Sequence, residues 1–326
     1  VLRIERPTRP TSIDELIEPG VQAQLGRLDL ASRKIFAGKL KGERRSKKRG
    51  ESVEFADHRP YVVGDDLRHI DWNLYARLDR FFMKLFLEEE DLSLHVVIDA
   101  SASSDCGEPS KFLYMQRVAA ALGYVGLVNL NRVACTALSG RVRTGRDDEP
   151  NLDTEPIDPI GGSVRDLRGR RRVHDLSRFL CSLEPAGPTD FGAAAKRIAL
   201  SRRGRGVMVV LSDFFMKEGY EQGLRMLVGR GYDVFAIQVL SPQELEPEGP
   251  HGVAGDLRLR DVEDADFAEV TISAPLLKKY KQNLSAYCAQ LRDFCARREI
   301  TCLTVRSDTP VETLLVDYLR RRGLLR

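Results

Sequence analysis

The sequence predicts an α/β fold: a mostly parallel, doubly wound sheet with helices on both faces, preceded by an N-terminal helical and β extension. Three observations predict it. Nearly continuous apolar runs, Leu92 to Ile98 and Gly206 to Leu211 among them, have the length and β-branched content of strands buried on both sides. Longer segments with apolar positions three and four apart read as amphipathic helices. The two kinds alternate along most of the chain, as parallel strands joined by crossover helices require.

Taken in order, Ser12 stands where it can cap a short turn through Ile17, and Val21 to Ala37 carries Leu25, Leu28, Leu30, Ile35 and Phe36 in an imperfect helical rhythm. Residues 1–40 are therefore read as a helical extension. The run GERRSKKRG, residues 42–50, is bounded by glycines and reads as an exposed basic loop. In residues 80–98, RFFMKLFLEEEDLSLHVVI, a partly alternating strand around Phe82, Lys84 and Phe86 gives way to a charged turn at Glu88 to Asp91 and then to a buried strand. This sets residues 41–90 apart as a segment with strands packed on a main domain, residues 91–326.

Within that domain the pattern predicts a helix near Lys111 to Leu130, a strand near Val133 to Leu138, and helices near Leu176 to Ser182 and from Asp190 to Leu200. A strand at Gly206 to Leu211, a helix near Tyr220 to Arg230 and a strand at Asp233 to Val239 follow. Pro275 to Arg297 places Tyr280, Leu284, Tyr287, Cys288, Leu291, Phe294 and Cys295 on one helical face. A strand at Thr301 to Val305 leads to a last helix, Pro310 to Arg321, with its proline in the first turn. Gly140 to His174 and Ser241 to Asp266 are rich in Gly, Pro and charge and read as loops holding short strands, such as Asp256 to Arg260.

Composition narrows the function classes. With 42% hydrophobic and 30% charged residues among 326, the chain sits in the range of folded, soluble domains. Its net charge of +3, from 51 basic and 48 acidic residues, supplies no global field for nucleic acid or an anionic membrane. No stretch approaches the roughly 18 consecutive apolar residues of a spanning helix, and the opening VLRIERPTRP lacks the apolar core of a signal peptide. A cytoplasmic location is the resulting expectation. Cys106, Cys135, Cys181, Cys288, Cys295 and Cys302 form no C-x-x-C pair and read as reduced, packed thiols. His58, His69, His95, His174 and His251 are scattered, without a compact ligand pattern.

The chemistry concentrates where the strand ending at Ile98 runs into Asp99-Ala100-Ser101-Ala102-Ser103. A loop at the carboxyl end of a strand in a doubly wound sheet is a favoured ligand position. One carboxylate and two hydroxyls spaced two apart can turn toward a single point and offer the hard oxygens that Mg²⁺, or Mn²⁺, accepts. Two further ligands are expected at equivalent places. Asp213 follows a strand in VMVVLSDF, and Thr189 lies in EPAGPTDFGAAAKRI, a turn opening an alanine-rich helix. The bland alternative for the serines is capping of the following helix.

Asp99, Ser101, Ser103, Thr189 and Asp213, in this order and setting, resemble the metal-ion-dependent adhesion site of von Willebrand factor type A domains. A second pattern narrows the family. Residues 59–77, RPYVVGDDLRHIDWNLYAR, concentrate Arg59, Asp65, Asp66, Arg68, Asp71 and Arg77 around Tyr61 and Trp72. Taken alone they are a loop laced with ion pairs, each worth little if exposed. The arrangement R-x-Y-x-x-G-D-D-x-R-x-I-D-W-x-x-x-A-R, with Gly42, Ser46, Gly50 and Phe55 before it, resembles the signature of the bacterial domain-of-unknown-function 58 family. That resemblance covers roughly residues 40–215. It implies a von Willebrand type A-like fold and a working association with MoxR-type AAA+ ATPases in chaperone or metal-cofactor maturation work. Ser104 stands where a methionine often follows the site loop, and Pro188 where a glycine often precedes the threonine; both departures bear on loop packing rather than on the ligand oxygens.

The functional expectation is a non-catalytic module in which a divalent cation bridges the five side chains to an acidic group of a partner, an ATPase ring or its client. Mg²⁺-dependent phosphoryl hydrolysis or transfer is the enzymatic alternative. It lacks a G-x-x-x-x-G-K-[ST] loop, a G-x-S-x-G elbow and a D-x-D pair, Ser101 standing at the second aspartate's position. Nucleic-acid binding through residues 42–50 and RDLRGRRRVH at 165–174 is the third reading, disfavoured because both basic clusters lie in glycine-bounded loops of a near-neutral chain.

Overall fold

The computed structural model describes residues 9–31, 55–63, 65, 67, 70–86, 92–143, 158–201, 206–248, 255–260 and 267–326. The chain divides into two units, one formed by residues 1–39 and 92–326 and the other by residues 40–91. The predicted basic loop at 42–50 lies outside the described residues.

In chain order the elements begin with helices α1 (Ile13–Leu16) and α2 (Pro19–Leu25). The smaller unit holds β1 (Phe55–Pro60), α3 (Trp72–Leu78) and β2 (Phe82–Phe86). The larger unit continues with β3 (Ser93–Asp99), α4 (Lys111–Val128), β4 (Arg132–Leu138), β5 (Arg141–Val142), β6 (Ile160–Leu167), α5 (Val173–Ser182), β7 (Leu183–Glu184), α6 (Phe191–Ser201) and β8 (Gly206–Ser212). Then come α7 (Glu221–Gly229), β9 (Asp233–Leu240), α8 (Pro242–Leu245), β10 (Gly255–Arg260), β11 (Phe267–Ile272), α9 (Ala274–Ala296) and β12 (Thr301–Arg306). A short last helix, α10 (Val311–Thr313), widens into a π-helical turn at Leu314–Leu319.

The central sheet has six strands in the order β12-β9-β8-β3-β4-β6. All neighbours are parallel except β6, which runs antiparallel to β4. Counted along the chain, the strand order is 3-2-1-4-5-6, so the direction of winding reverses between β3 and β8, which pair from Ser93↔Gly206 to Ile98↔Leu211. At such a reversal the loops leaving the two strands part to opposite faces and open a crevice beyond their carboxyl ends.

Each face of the sheet has its own core, as helices on both sides require. One core packs Val96, Ile98, Val133, Val209 and Ile237 against α1, α2, α4, α5 and the C-terminal leucines Leu314, Leu315 and Leu319. The other packs Val97, Met208, Val210, Val234 and Ala236 against α6, α7 and α9 through Phe191, Leu224 and Leu291. α4 is buried along nearly its whole length, and its glycines set its distance to the sheet: a Cβ at Gly126 would lie 2.7 Å from Val133, 3.3 Å from Leu30 and 3.5 Å from Leu94.

Two expectations change. The helix expected from Val21 to Ala37 ends at Leu25: Gly26 closes it, and Leu28 and Leu30 turn into the core, with Leu30 bridged to Leu325 of the C-terminal segment. The remainder, from residue 32, lies outside the described residues. The stretch 140–174, read as loops holding short strands, contains a full eight-residue strand of the central sheet, β6. Its Gly161 and Gly162 hide it from a propensity argument, yet Gly161 must be small there, since a Cβ would sit 1.8 Å from the Ser139 carbonyl oxygen. The expected strand at Asp256 to Arg260 is present as β10, paired antiparallel with β11.

In the smaller unit β1 and β2 form an antiparallel ribbon with Pro60 opposite Phe82. Asp71 caps α3, its Oδ1 accepting from the backbone N–H groups of Asn73 at 3.0 Å and Leu74 at 3.1 Å.

Candidate metal centre

β3 delivers Asp99, buried at 2% exposure, to the carboxyl edge of the sheet beside the reversal. The chain then turns sharply. Ser101 donates its backbone N–H to Asp99 Oδ1 at 3.0 Å, and Ser104 Oγ donates to the Ser101 carbonyl at 2.8 Å, closing a short 3₁₀ turn over Ala102–Ser104. The loop is anchored across the rim: Ala100 N–H donates to Leu138, Ala102 N–H to Gly187, and Ala186 N–H back to Ala100. This brings the 186–189 turn against the serine loop.

The serines do not cap the next helix. Ser110 does, its Oγ accepting from Leu113 N–H at 3.3 Å. Ser101 and Ser103 instead place their hydroxyl oxygens 3.1 Å apart. Thr189 donates its hydroxyl to Asp99 Oδ1 at 3.0 Å. Asp213, directly after β8, accepts from Phe215 N–H at Oδ1, 2.9 Å away. All five predicted residues line one cavity of about 200 Å³, together with Pro159, Pro188, Asp190, Phe215, Met216, Lys217 and Glu218. Asp190 also opens α6, accepting from Ala193 N–H.

Two residues of the site escape sequence reasoning. Ser212 donates its hydroxyl to Asp99 Oδ2 at 2.6 Å and accepts from Phe214 N–H, so it fixes the rotamer of the first carboxylate while shaping the turn that presents the second. That turn is strained: Phe214, fully buried, has a left-handed φ of 62°. Lys111, the first residue of α4, buries its ammonium between Asp213 Oδ2 and Glu244 Oε1, 2.7 Å from each. The Ser-Asp pair closing an apolar run was a visible signal for Ser212. Nothing local marks Lys111, because a lysine at a helix start ordinarily faces water.

The electrostatics are those of buried carboxylates in a shared space. Burial, and next the Asp213 charge, push the Asp99 carboxyl above the ordinary range, against the pull of the Ser212 and Ser101 donors. Burial alone would lower the Lys111 ammonium, but Asp213 and Glu244 outweigh it and hold its pKa above the usual lysine value.

The donor set suits a small hard cation. Adjacent oxygens of an Mg²⁺ octahedron with bonds near 2.0–2.1 Å are roughly 2.9 Å apart. The Ser101–Ser103 and Thr189–Asp99 hydrogen bonds, 3.1 and 3.0 Å, hold these oxygens near that edge length. Hydroxyl donors also keep lone pairs that can turn toward an ion. Among the described residues no group of three or more His, Cys, Asp or Glu side chains gathers as a ligand set, at this rim or elsewhere; the rim offers two carboxylates and three hydroxyls.

Other predicted features are placed as follows. Arg59 holds Asp65 in a bidentate pair, 2.6 Å at each oxygen, and the Arg59 bond, with the Val62 N–H behind it, keeps the Asp65 carboxyl below its ordinary range. Asp71 meets His58 at 2.9 Å. Asp66 and Arg68 lie outside the described residues. Pro188 accepts a hydrogen bond from Ser139 Oγ at its backbone carbonyl and lines the cavity, and Ser104 is buried. The six cysteines are free thiols. Among the described residues no helix is long and apolar enough to cross a membrane.

The family model described as "Protein of unknown function DUF58" matches residues 57–147 and 164–289, more than half of the chain. Uncharacterized proteins of Mycobacterium bovis and of two strains of Mycobacterium tuberculosis are each 26% identical over 319 residues, spanning 95% of this chain and 93% of the relative.

Proposed function

The chain belongs to the DUF58 family, and on that premise we propose that it is a non-catalytic protein-interaction module of von Willebrand factor type A-like build. In this reading Asp99, Ser101, Ser103, Thr189 and Asp213 hold Mg²⁺ or Mn²⁺, and an acidic side chain of a partner completes the ion's coordination. The partner is a MoxR-type AAA+ ATPase or its client.

One observation carries the reading: side chains drawn from three separate stretches of the chain line a single cavity at the reversal of the sheet. A bound divalent cation would supply a Lewis-acidic point for an incoming carboxylate. The protein's part is to orient the oxygens. Ser212 and the Ser101 N–H fix Asp99, and the Phe215 N–H fixes Asp213. Among the described residues no histidine lines the cavity, and Ser101 and Ser103 set their hydroxyls against each other.

Pull-down of a MoxR-type ATPase on the full chain tests this. The proposal expects association in Mg²⁺ that is lost both in EDTA and in Asp99→Ala. Association unchanged by both treatments overturns it.

A further inference from the structure

The buried ammonium of Lys111 is not among the ligands proposed above, yet it touches one of them. Its side chain is 2% exposed, and Nζ lies 2.7 Å from Asp213 Oδ2 and 2.7 Å from Glu244 Oε1. Both acceptors are fixed from behind. Asp213 Oδ1 is held by the Phe215 N–H, which leaves Oδ2 as the oxygen that Lys111 occupies. Glu244 Oε2 accepts from Ser241 N–H at 2.7 Å and Ser241 Oγ at 3.0 Å in a capping box of α8. α8 is in turn stapled to the loop before α4: Gln243 accepts from Glu108 N–H at 3.1 Å and donates to its carbonyl at 2.9 Å. Cys106 Sγ lies 4.0 Å from the same Glu244 Oε1.

A cation held equally by two fixed anions can shift toward either with little rearrangement of the backbone. We propose that Lys111 is the resident counter-ion of the rim: its ammonium competes with a divalent cation for Asp213, and Glu244 receives it when the ion binds. The proposal rests on the reading of the rim as a cation site. In the absence of an ion, Lys111 neutralises Asp213 and keeps the buried carboxylates from repelling one another. On ion binding, the Lys111–Glu244 pair cancels its own charge, so Asp99 and Asp213 alone balance the two positive charges. The arrangement favours divalent ions, because a monovalent ion brings no more charge to Asp213 than the lysine already supplies. Lys111 is thus a positioning residue, acting on the ion through Asp213.

Mn²⁺ binding to the full chain, followed by the electron paramagnetic resonance signal of the free ion, separates the possibilities. Lys111→Met frees Asp213 and should bind Mn²⁺ about tenfold more tightly than the wild type, within the usual range for coupled sites. Glu244→Gln removes the alternative acceptor, leaves the ammonium on Asp213, and should bind Mn²⁺ about tenfold more weakly. A lysine that only filled space would leave both affinities unchanged. Unchanged affinity in both, with wild-type binding intact, overturns the role of Lys111 and leaves the cation site standing. No Mn²⁺ binding by the wild type overturns the cation reading and the counter-ion with it. Should Lys111→Met fail to fold by circular dichroism, Glu244→Gln decides alone, weaker binding supporting the proposal and equal or tighter binding overturning it.

Discussion

The Asp99 rim and the 59–77 segment are built from the same residue types, carboxylates beside basic and aromatic side chains, and they satisfy those carboxylates differently. In the segment, Asp71 is held by two backbone N–H groups and His58, and Asp65 by the Arg59 fork and a backbone N–H. The N–H and guanidinium donors have no lone pair left to offer a ligand. At the rim, the Asp99 oxygens take hydroxyls from Thr189 and Ser212 besides one N–H, and two more hydroxyls stand alongside. A hydroxyl donates to the carboxylate in one state and accepts or coordinates in another. The lesson is that the partners of a carboxylate, more than its presence in a motif, separate a structural acid from one able to take a ligand.

The sharpest way to test the contrast is to remove the buried cation from the rim. Lys111→Met leaves Asp213 and Glu244 without it, and breaking a buried pair in this way costs about 3–5 kcal/mol. Urea unfolding in EDTA should show that loss, and Mn²⁺ should recover part of it by mass action. In the other region the effects shrink. Asp71→Ala removes a helix cap and should cost about 1 kcal/mol in the stability of the smaller unit, with Mn²⁺ affinity unchanged; a fall in affinity would join the two regions functionally. The smallest effect belongs to Arg59→Gln. Its ion pair is solvent-facing and screened by salt, so the melting temperature should match the wild type at high ionic strength, and a shift that persists there would mark a second working site.

Much of this was legible in the sequence because the relevant signals are local. Buried parallel strands announce themselves as apolar runs, and the site lies directly after two of them, Leu94 to Ile98 and Val207 to Leu211. Thr189 was legible because it sits immediately before a helix. What escaped depends on distant packing. β6 is an edge strand with two glycines, so neither burial nor propensity marks it, and the Ser139 and Gly140 carbonyls explain its Gly161. The helix after Val21 stops early because Leu28 and Leu30 are claimed by the core near the last residues of the chain. Lys111 is invisible for the same reason: its partners lie 102 and 133 residues away.

The close approach at Gly126 bears on how the larger unit tolerates residues 31–93. Leu30, just before the smaller unit, and Leu94, just after it, both reach that one glycine of α4, at 3.3 and 3.5 Å from its Cβ position. The larger unit therefore pins both ends of everything between them. For a connection anchored in this way, each doubling of its length adds only about 0.6 kcal/mol of closure entropy. The sheet that carries Asp99 should thus accept a longer intervening segment at small cost in closure entropy.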